Sequence, residues 1–343
     1  LLDEWQEVPP LWDAVRAEVD ARNAKGQFIL TGSATPNRKG ILHSGAGRIG
    51  RLRMRPMSLF EAGFSSGSIS LENLCRGELS PTITGEVELL KLAQYIVRGG
   101  WPGNLTVPEK QAGLMAAEYI SAILENDVYR LDGVKLNVHK MRLLLKSLAR
   151  NESTTATNKT LKNDIKAVDA DTISTYLDVF RRLFLLDNQP PFAPGARSSI
   201  RTKQAEKRHL ADPSLACALL KLSPTGLIQD LETFGFLFEA LCERDLRIYA
   251  NCFDGELYHY RDYRDNEIDA VIELPDKSWC ALEIKLGANQ IDKAAENLLT
   301  VNEKIKQADG VPASTLIVVC GLANAAYQRP DGVFVVPITA LKN

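Results

Sequence analysis

Hydrophobic positions in the first 65 residues change period twice. Leu1-Leu2 is an apolar strand end that closes on Asp3-Glu4. Leu11, Trp12, Val15 and Val19 then recur at helical spacing, and Phe28-Ile29-Leu30 forms a short run ending in Thr31-Gly32-Ser33. Strand, helix, strand in this order predicts half of a parallel α/β sheet, whose ligands sit at the carboxyl ends of the strands. Asp3, Glu4, Thr31 and Ser33 are therefore expected on one edge. Further on, amphipathic helices are predicted over 89–97 and 114–124. They flank Arg98-Gly99-Gly100-Trp101-Pro102-Gly103, a breaker-rich turn read as a structural hinge.

The next block predicts helices over 141–149 and 158–168. A third starts at Asp171, the expected N-cap, with apolar positions at Ile173, Tyr176, Leu177, Phe180, Leu183 and Phe184. Leu185-Leu186-Asp187, a Pro-rich turn over 190–194 and the basic run Arg197, Arg201, Lys203, Lys207 and Arg208 follow. Three short helices and a hairpin describe a winged helix, whose third helix can enter a major groove while the wing touches phosphates. The expected DNA contacts are Arg181, Arg182, Arg197, Arg201 and Lys203. The exposed side of that helix also carries Ser174, Thr175 and Asp178, and this mixture of signs keeps protein docking open beside DNA.

From about 226 the pattern predicts a helix over 231–248 with Glu239 among apolar neighbours. Strands follow over 256–260 and 268–274, joined by a turn at Arg264-Asp265-Asn266, then a strand over 279–286, a helix over 288–299 and late strands over 314–320 and 332–336. Alternation sets Glu283 and Lys285 on one face of their strand. Asp269 is offset from its apolar neighbours, so the carboxylates converge if the two strands pair in register.

A length of 343 residues suggests two or three domains, and 45% hydrophobic with 24% charged residues is a globular composition. The net charge of −2 announces no polyanion partner, although residues 21–60 hold eight Lys or Arg and no acid. That stretch suits phosphate. Neither a membrane-length apolar run nor a leader is apparent, so a cytoplasmic protein without a membrane partner is expected. The six cysteines form no C-x-x-C pair and the four histidines are isolated, which argues against zinc or a disulfide scaffold.

LLDEWQEVPP, FILTGSA, GAGRIGRLRMRP and SLFEAG, in that order, resemble the bacterial and archaeal AAA+ ATPases that carry a C-terminal domain of unknown function. The GG-aromatic-P turn and KRHLADPSLACALL extend the likeness. It implies that Asp3 and Glu4 are the Walker B pair, with Asp3 on Mg²⁺ and Glu4 catalytic. Thr31 or Ser33 would be the first sensor, and Arg48 the arginine finger. No G-x-x-x-x-G-K-[ST] is present, so the chain reads as truncated before Walker B. ATP binding, hydrolysis and homo-oligomerisation are then expected only of a full-length parent.

In the last region Asp269, Glu283-Ile284-Lys285 and the upstream helical Glu239 resemble the PD-(D/E)XK nuclease arrangement, without the proline before Asp269. That implies Mg²⁺ on Asp269 and Glu283, with Glu239, Asp269, Glu283 and Lys285 catalytic. The expected fold class is α/β multidomain. A truncated AAA+ core would span 1–65, a helical linker or lid 66–136, a winged helix 137–225 and a PD-(D/E)XK-like mixed α/β domain 226–343. The expected function is DNA-associated, and the alternative is a non-catalytic DNA- or protein-binding scaffold with a degenerate nuclease fold.

Overall fold

The computed structural model describes residues 1–34, 45–128, 136–165, 168–195, 200–264 and 266–343. Arg197 and Asp265 lie outside the described residues. In the N-terminal segment Leu2 and Leu30 form a parallel bridge, held by Leu2 N–H to Ile29 O at 2.8 Å and Thr31 N–H to Leu2 O at 2.9 Å. Helix α1 (Pro10–Arg22) connects these two stretches and buries Trp12 and Val15. The predicted strand, helix, strand order is thus present, although each strand is reduced to one bridging residue.

Strand β1 (Ile69–Ser70) leads into α2 (Leu71–Cys75), and β2 (Thr82–Ile83) precedes α3 (Leu89–Arg98) and α4 (Glu109–Ala122). Next come α5 (Val138–Arg150), α6 (Asn158–Ile165), α7 (Ala170–Arg182) and α8 (Ile200–Lys203). Helix α7 is capped by Asp169, whose side chain accepts from Thr172 N–H at 2.8 Å. The expected cap, Asp171, instead lies inside the first turn. Both acids suit a helix start, and the helix begins one residue before Asp171 because Asp169 has the extended backbone a cap requires. The helix ends at Arg182, short of the predicted Phe184, which takes a left-handed φ of 56°. After α7 the chain forms an antiparallel ribbon bridged at Leu186 with Leu210 and Gln189 with Lys207.

Helices α9 (Pro213–Leu220) and α10 (Pro224–Gln229) carry Pro at their first turn, where its missing N–H costs nothing, and are capped by Asp212 and Ser223. Asp230 caps the long α11 (Leu231–Asn251) by accepting from Thr233 N–H. Strands β3 (Glu256–Arg261), β4 (Glu267–Glu273) and β5 (Trp279–Lys285) then form an antiparallel meander. Helix α12 (Ile291–Gln307) crosses to β6 (Thr315–Cys320), which pairs parallel with β5.

Strands β7 (Ala325–Gln328), β8 (Phe334–Pro337) and β9 (Leu341–Lys342) complete the chain, and the large sheet has seven strands in the order β2-β7-β8-β6-β5-β4-β3. One face, with Leu282, Ile284, Ile317 and Val319, shares a single apolar core with α11, the helices from α3 to α7, α9 and α10. The other, with Ala281, Val318 and Val335, packs on Leu298 and Val301 of α12. Coverage on both faces explains the nearly continuous apolar runs of β5 and β6.

Two pairings tie the region before α3 to the end of the chain. β2 pairs antiparallel with β7, and β1 pairs parallel with β9. Residues 69–83 therefore belong structurally with the C-terminal sheet. Gly99 and Gly100 follow α3, and a Cβ at Gly100 would lie 2.2 Å from Met57 O. The expected hinge is thus a close backbone approach, fastened by Met57 N–H to Gly100 O at 2.6 Å.

Candidate functional site

The register Ala270↔Leu282 places Asp269 opposite Glu283 on the same face. Lys285 projects from the same side of β5, and its Nζ reaches Asp269 Oδ2 at 2.8 Å and Glu283 Oε2 at 2.5 Å. Asp269 Oδ2 also accepts from Ile284 N–H at 2.8 Å, and Asn297 of α12 donates to Glu283 Oε1 at 2.8 Å. Strand alternation, one register and one helix side chain therefore build a carboxylate, ammonium, carboxylate arrangement at the end of β5.

Glu239 approaches from α11. It lines a cleft of about 550 Å³ together with Lys285, Phe236, Leu231, Ile284 and Asn289. Its Oε1 lies 2.5 Å from Lys207 Nζ, which also donates to Glu243 Oε1 at 3.1 Å and to Asp269 O at 3.1 Å. Behind Glu243, His209 sets its Nε2 against Glu243 Oε2 and its Nδ1 3.1 Å from Glu152 Oε1. Glu152 Oε1 additionally accepts from Leu210 N–H.

These charges are buried, and their proton affinities separate accordingly. Burial pushes Glu239 up to about 8 against the opposing pull of Lys207, and Asp269 adds to the rise. Burial and the neighbouring Asp269 charge raise Glu283 to about 7, with Lys285 opposing. For Asp269, burial is outweighed by Lys285 and Lys207, and its carboxyl is held below the usual range. Glu243 falls to about 2 because His209 and Lys207 together overcome its burial. His209, although buried, rises to about 9 between Glu243 and Glu152. Glu239 and Glu283 thus have proton affinities near neutrality beside an ionised Asp269, which is the separation acid–base chemistry uses.

The donor set, two carboxylates facing each other, has the hard oxygens Mg²⁺ prefers. Among the described residues, however, no group of three His, Cys, Asp or Glu is spaced to hold an ion. The Lys285 ammonium now lies between Asp269 and Glu283, so a cation there would require it to move aside.

In the N-terminal segment Thr31 Oγ1 donates to Asp3 Oδ1, and Ser33 Oγ donates to Glu4 Oε2 at 3.0 Å. The two acids and two hydroxyls share an edge as their spacing predicts. Glu4 takes a left-handed φ of 49°, and its carboxylate is further bonded by Gln6. Arg48 pairs with Asp20 of α1 at 2.5 Å.

Most of the cations read as phosphate or DNA contacts are engaged within the chain. Arg53 and Arg55 bond Asp187 at 2.8 and 2.7 Å, where Arg247 also binds at 2.9 Å. Arg181 pairs with Glu206 at 2.9 Å. Arg201 makes a bidentate pair with Glu273 at 3.0 and 3.2 Å and lies over the rings of Phe192 and Tyr258. Arg182 has a partner within the chain as well, while Lys203 is exposed. Within the basic run, Arg201, Lys207 and Arg208 are bonded inside the chain. Asp187 and Glu206 of the ribbon after α7, Glu273 of β4 and the glutamates of α11 supply counter-charges that a one-dimensional reading cannot see.

Lys207, His209, Glu243, Glu152 and Asn297 were not anticipated as site residues. Lys207 was visible only as one cation in a basic run, and Glu243 could have been found from its position one helical turn after Glu239. None of the described helices is long and apolar enough to cross a membrane.

Comparison with known proteins divides the chain in three. Residues 1–63 match an AAA domain, 89–226 match a domain of unknown function (DUF8612), and 234–341 match a second (DUF4143). Uncharacterized proteins of Mycobacterium bovis (Mb2031c) and Mycobacterium tuberculosis (Rv2008c) are each 23% identical over 286 residues, covering 83% of this chain. The chain spans 58% of the length of each of these relatives. No solved structure matches. The match over 1–63 makes this part of the chain similar to AAA, ATPase-like domains, and it is followed by regions similar to two domains of unknown function.

Proposed function

We propose that the C-terminal domain is a nuclease-like module of an ATPase-family protein and acts on DNA phosphodiesters at Glu239, Asp269, Glu283 and Lys285. The observation that carries this reading is Lys285, held by Asp269 and Glu283 while lining the same cleft as Glu239. The order α11, β3, β4, β5, α12, β6, with β5 and β6 parallel, agrees with the PD-(D/E)XK arrangement. Helices α5 to α7 and the following ribbon agree with a winged helix, whose ribbon is bridged to the sheet at Pro191 and His259.

Asp269 and Glu283 would hold Mg²⁺, which, when bound, polarises a phosphate and acidifies its water. Lys285, released from one carboxylate, would orient the nucleophile and meet developing negative charge on the phosphate. Glu239, with its affinity raised to about 8, can carry a proton near neutral pH. Asp3, Glu4, Thr31, Ser33 and Arg48 fit the nucleotide-binding edge of the ATPase-like portion. We assign ATP binding and any oligomer to the whole protein to which such a portion belongs.

The test is calorimetric titration with Mg²⁺ and Mn²⁺, followed by cleavage of labelled DNA, for this chain and for an Asp269→Ala, Glu283→Ala variant. Binding and cleavage that both vanish in the variant support the reading. Equal behaviour of the two proteins rejects it and favours a scaffold role for the domain.

A further inference from the structure

The carboxylate site is not built by the C-terminal domain alone. The ribbon bridged at Gln189 with Lys207 and Leu186 with Leu210 belongs to the segment 89–226, yet it lies against the sheet through the bridge of Pro191 with His259. Gln189 Nε2 donates to Tyr258 O at 2.8 Å, and Lys207 is fixed by reciprocal backbone bonds with Gln189 at 2.9 and 3.0 Å. From that anchored position Lys207 Nζ reaches Glu239, Glu243 and the carbonyl of Asp269. His209, two residues on and on the same side of the ribbon, clamps Glu243 from behind.

Building on the nuclease-like reading, we propose that this ribbon completes the site, with Lys207 the positioning residue that holds Glu239 toward Asp269. A buried ammonium is costly, and apolar residues in place of the whole charge cluster could be as stable or more so, whereas removing Lys207 alone leaves Glu239 and Glu243 without their cation. Here it is shared by an acid that lines the cleft and by the backbone of the strand that carries Asp269. The middle segment thereby gains control of the site, because a shift of the ribbon withdraws Lys207 and leaves Glu239 unsupported.

The experiment measures steady-state cleavage of labelled DNA with Mn²⁺ by the full chain and by Lys207→Met and Lys207→Arg variants, with thermal melts of each. We expect kcat to fall about a hundredfold in Lys207→Met, the scale of a misplaced reacting group, with KM little changed. Lys207→Arg should recover part of the rate. Wild-type rates in Lys207→Met overturn the inference. So does an equal loss in both variants that follows a lowered melting temperature, since that describes a structural ion pair. A folded wild-type chain that cleaves nothing rejects the nuclease-like reading itself and removes the role of Lys207 with it, a result distinct from active wild-type protein with indifferent variants.

Discussion

Asp187 and Arg247 lie 2.9 Å apart, joining the ribbon after α7 to the helix that carries Glu239, and the same carboxylate accepts from Arg53 and Arg55. One acid therefore gathers three guanidinium groups from two different parts of the chain. Its carboxyl is held below the usual range because Arg247, Arg53 and Arg55 outweigh its burial. Asp187→Ala leaves three mutually repelling guanidinium groups around an empty centre. We expect a loss of about 3–5 kcal/mol, the range for breaking a buried pair from one side, measured by urea denaturation. A variant as stable as the parent would show that water replaces the carboxylate without cost.

Lys285 is the hub of the candidate site. Asp269→Asn keeps shape and volume but removes the charge facing the ammonium. Cleavage should fall by about two orders of magnitude or more, comparable to losing a positioned acid–base group, while the circular dichroism spectrum stays unchanged. Retention of cleavage in Asp269→Asn would remove Asp269 from the chemistry.

His209 makes stability depend on pH in a definite direction. Its affinity is raised from 6.5 to about 9, so its contribution is fully present below about 6.5 and is lost as pH climbs through about 9. Glu239 and Glu283, also raised, become charged over the same climb and act with the same sign. Denaturation midpoints should decline from pH 6.5 to 9.5, and His209→Gln should flatten that decline. A parent profile that is level across the range contradicts the burial of a charged His209.

The approach of Gly100 to Met57 leaves no space for a side chain. Gly100→Ala should destabilise by about 1–3 kcal/mol, the usual cost of overpacking, seen as a lower melting temperature. Gly99 adds to the constraint with φ of 68° and a Cβ position 2.5 Å from Asp212 Oδ1. Alanine at Gly103, where nothing lies within 4 Å, is the matched control.

Elements with strong periodicity were legible in the sequence. Helix α11 and strands β3 to β5 lie within a few residues of their predicted bounds, because each repeats its apolar positions several times. Strand alternation put Glu283 and Lys285 on one face, and the register of β4 on β5 then brings Asp269 to them. Strands β1 and β2 escaped, since two residues carry no period and their partners lie at the far end of the chain. Lys207 escaped for a related reason. A lysine in a basic run has the same local signature whether it meets solvent or Glu239, and only the ribbon's docking on the sheet decides. Asp169 and Asp171 show the limit of capping rules, which identify an acid near a helix start without choosing between neighbours.

The parallel pairing of β1 with β9 also sets the route of mechanical load. The chain is fastened at Leu59, near the end of the AAA-matched residues, whose N–H donates to Asp245 Oδ2 at 2.8 Å, and just after them at Ser66, whose N–H donates to Thr339 O at 2.8 Å. Tension applied at the N-terminal segment would reach β9 as a shearing force along the strands, the direction in which paired backbones resist together. Such a load would be shared between β9 and, through Asp245, α11, the helix that carries Glu239.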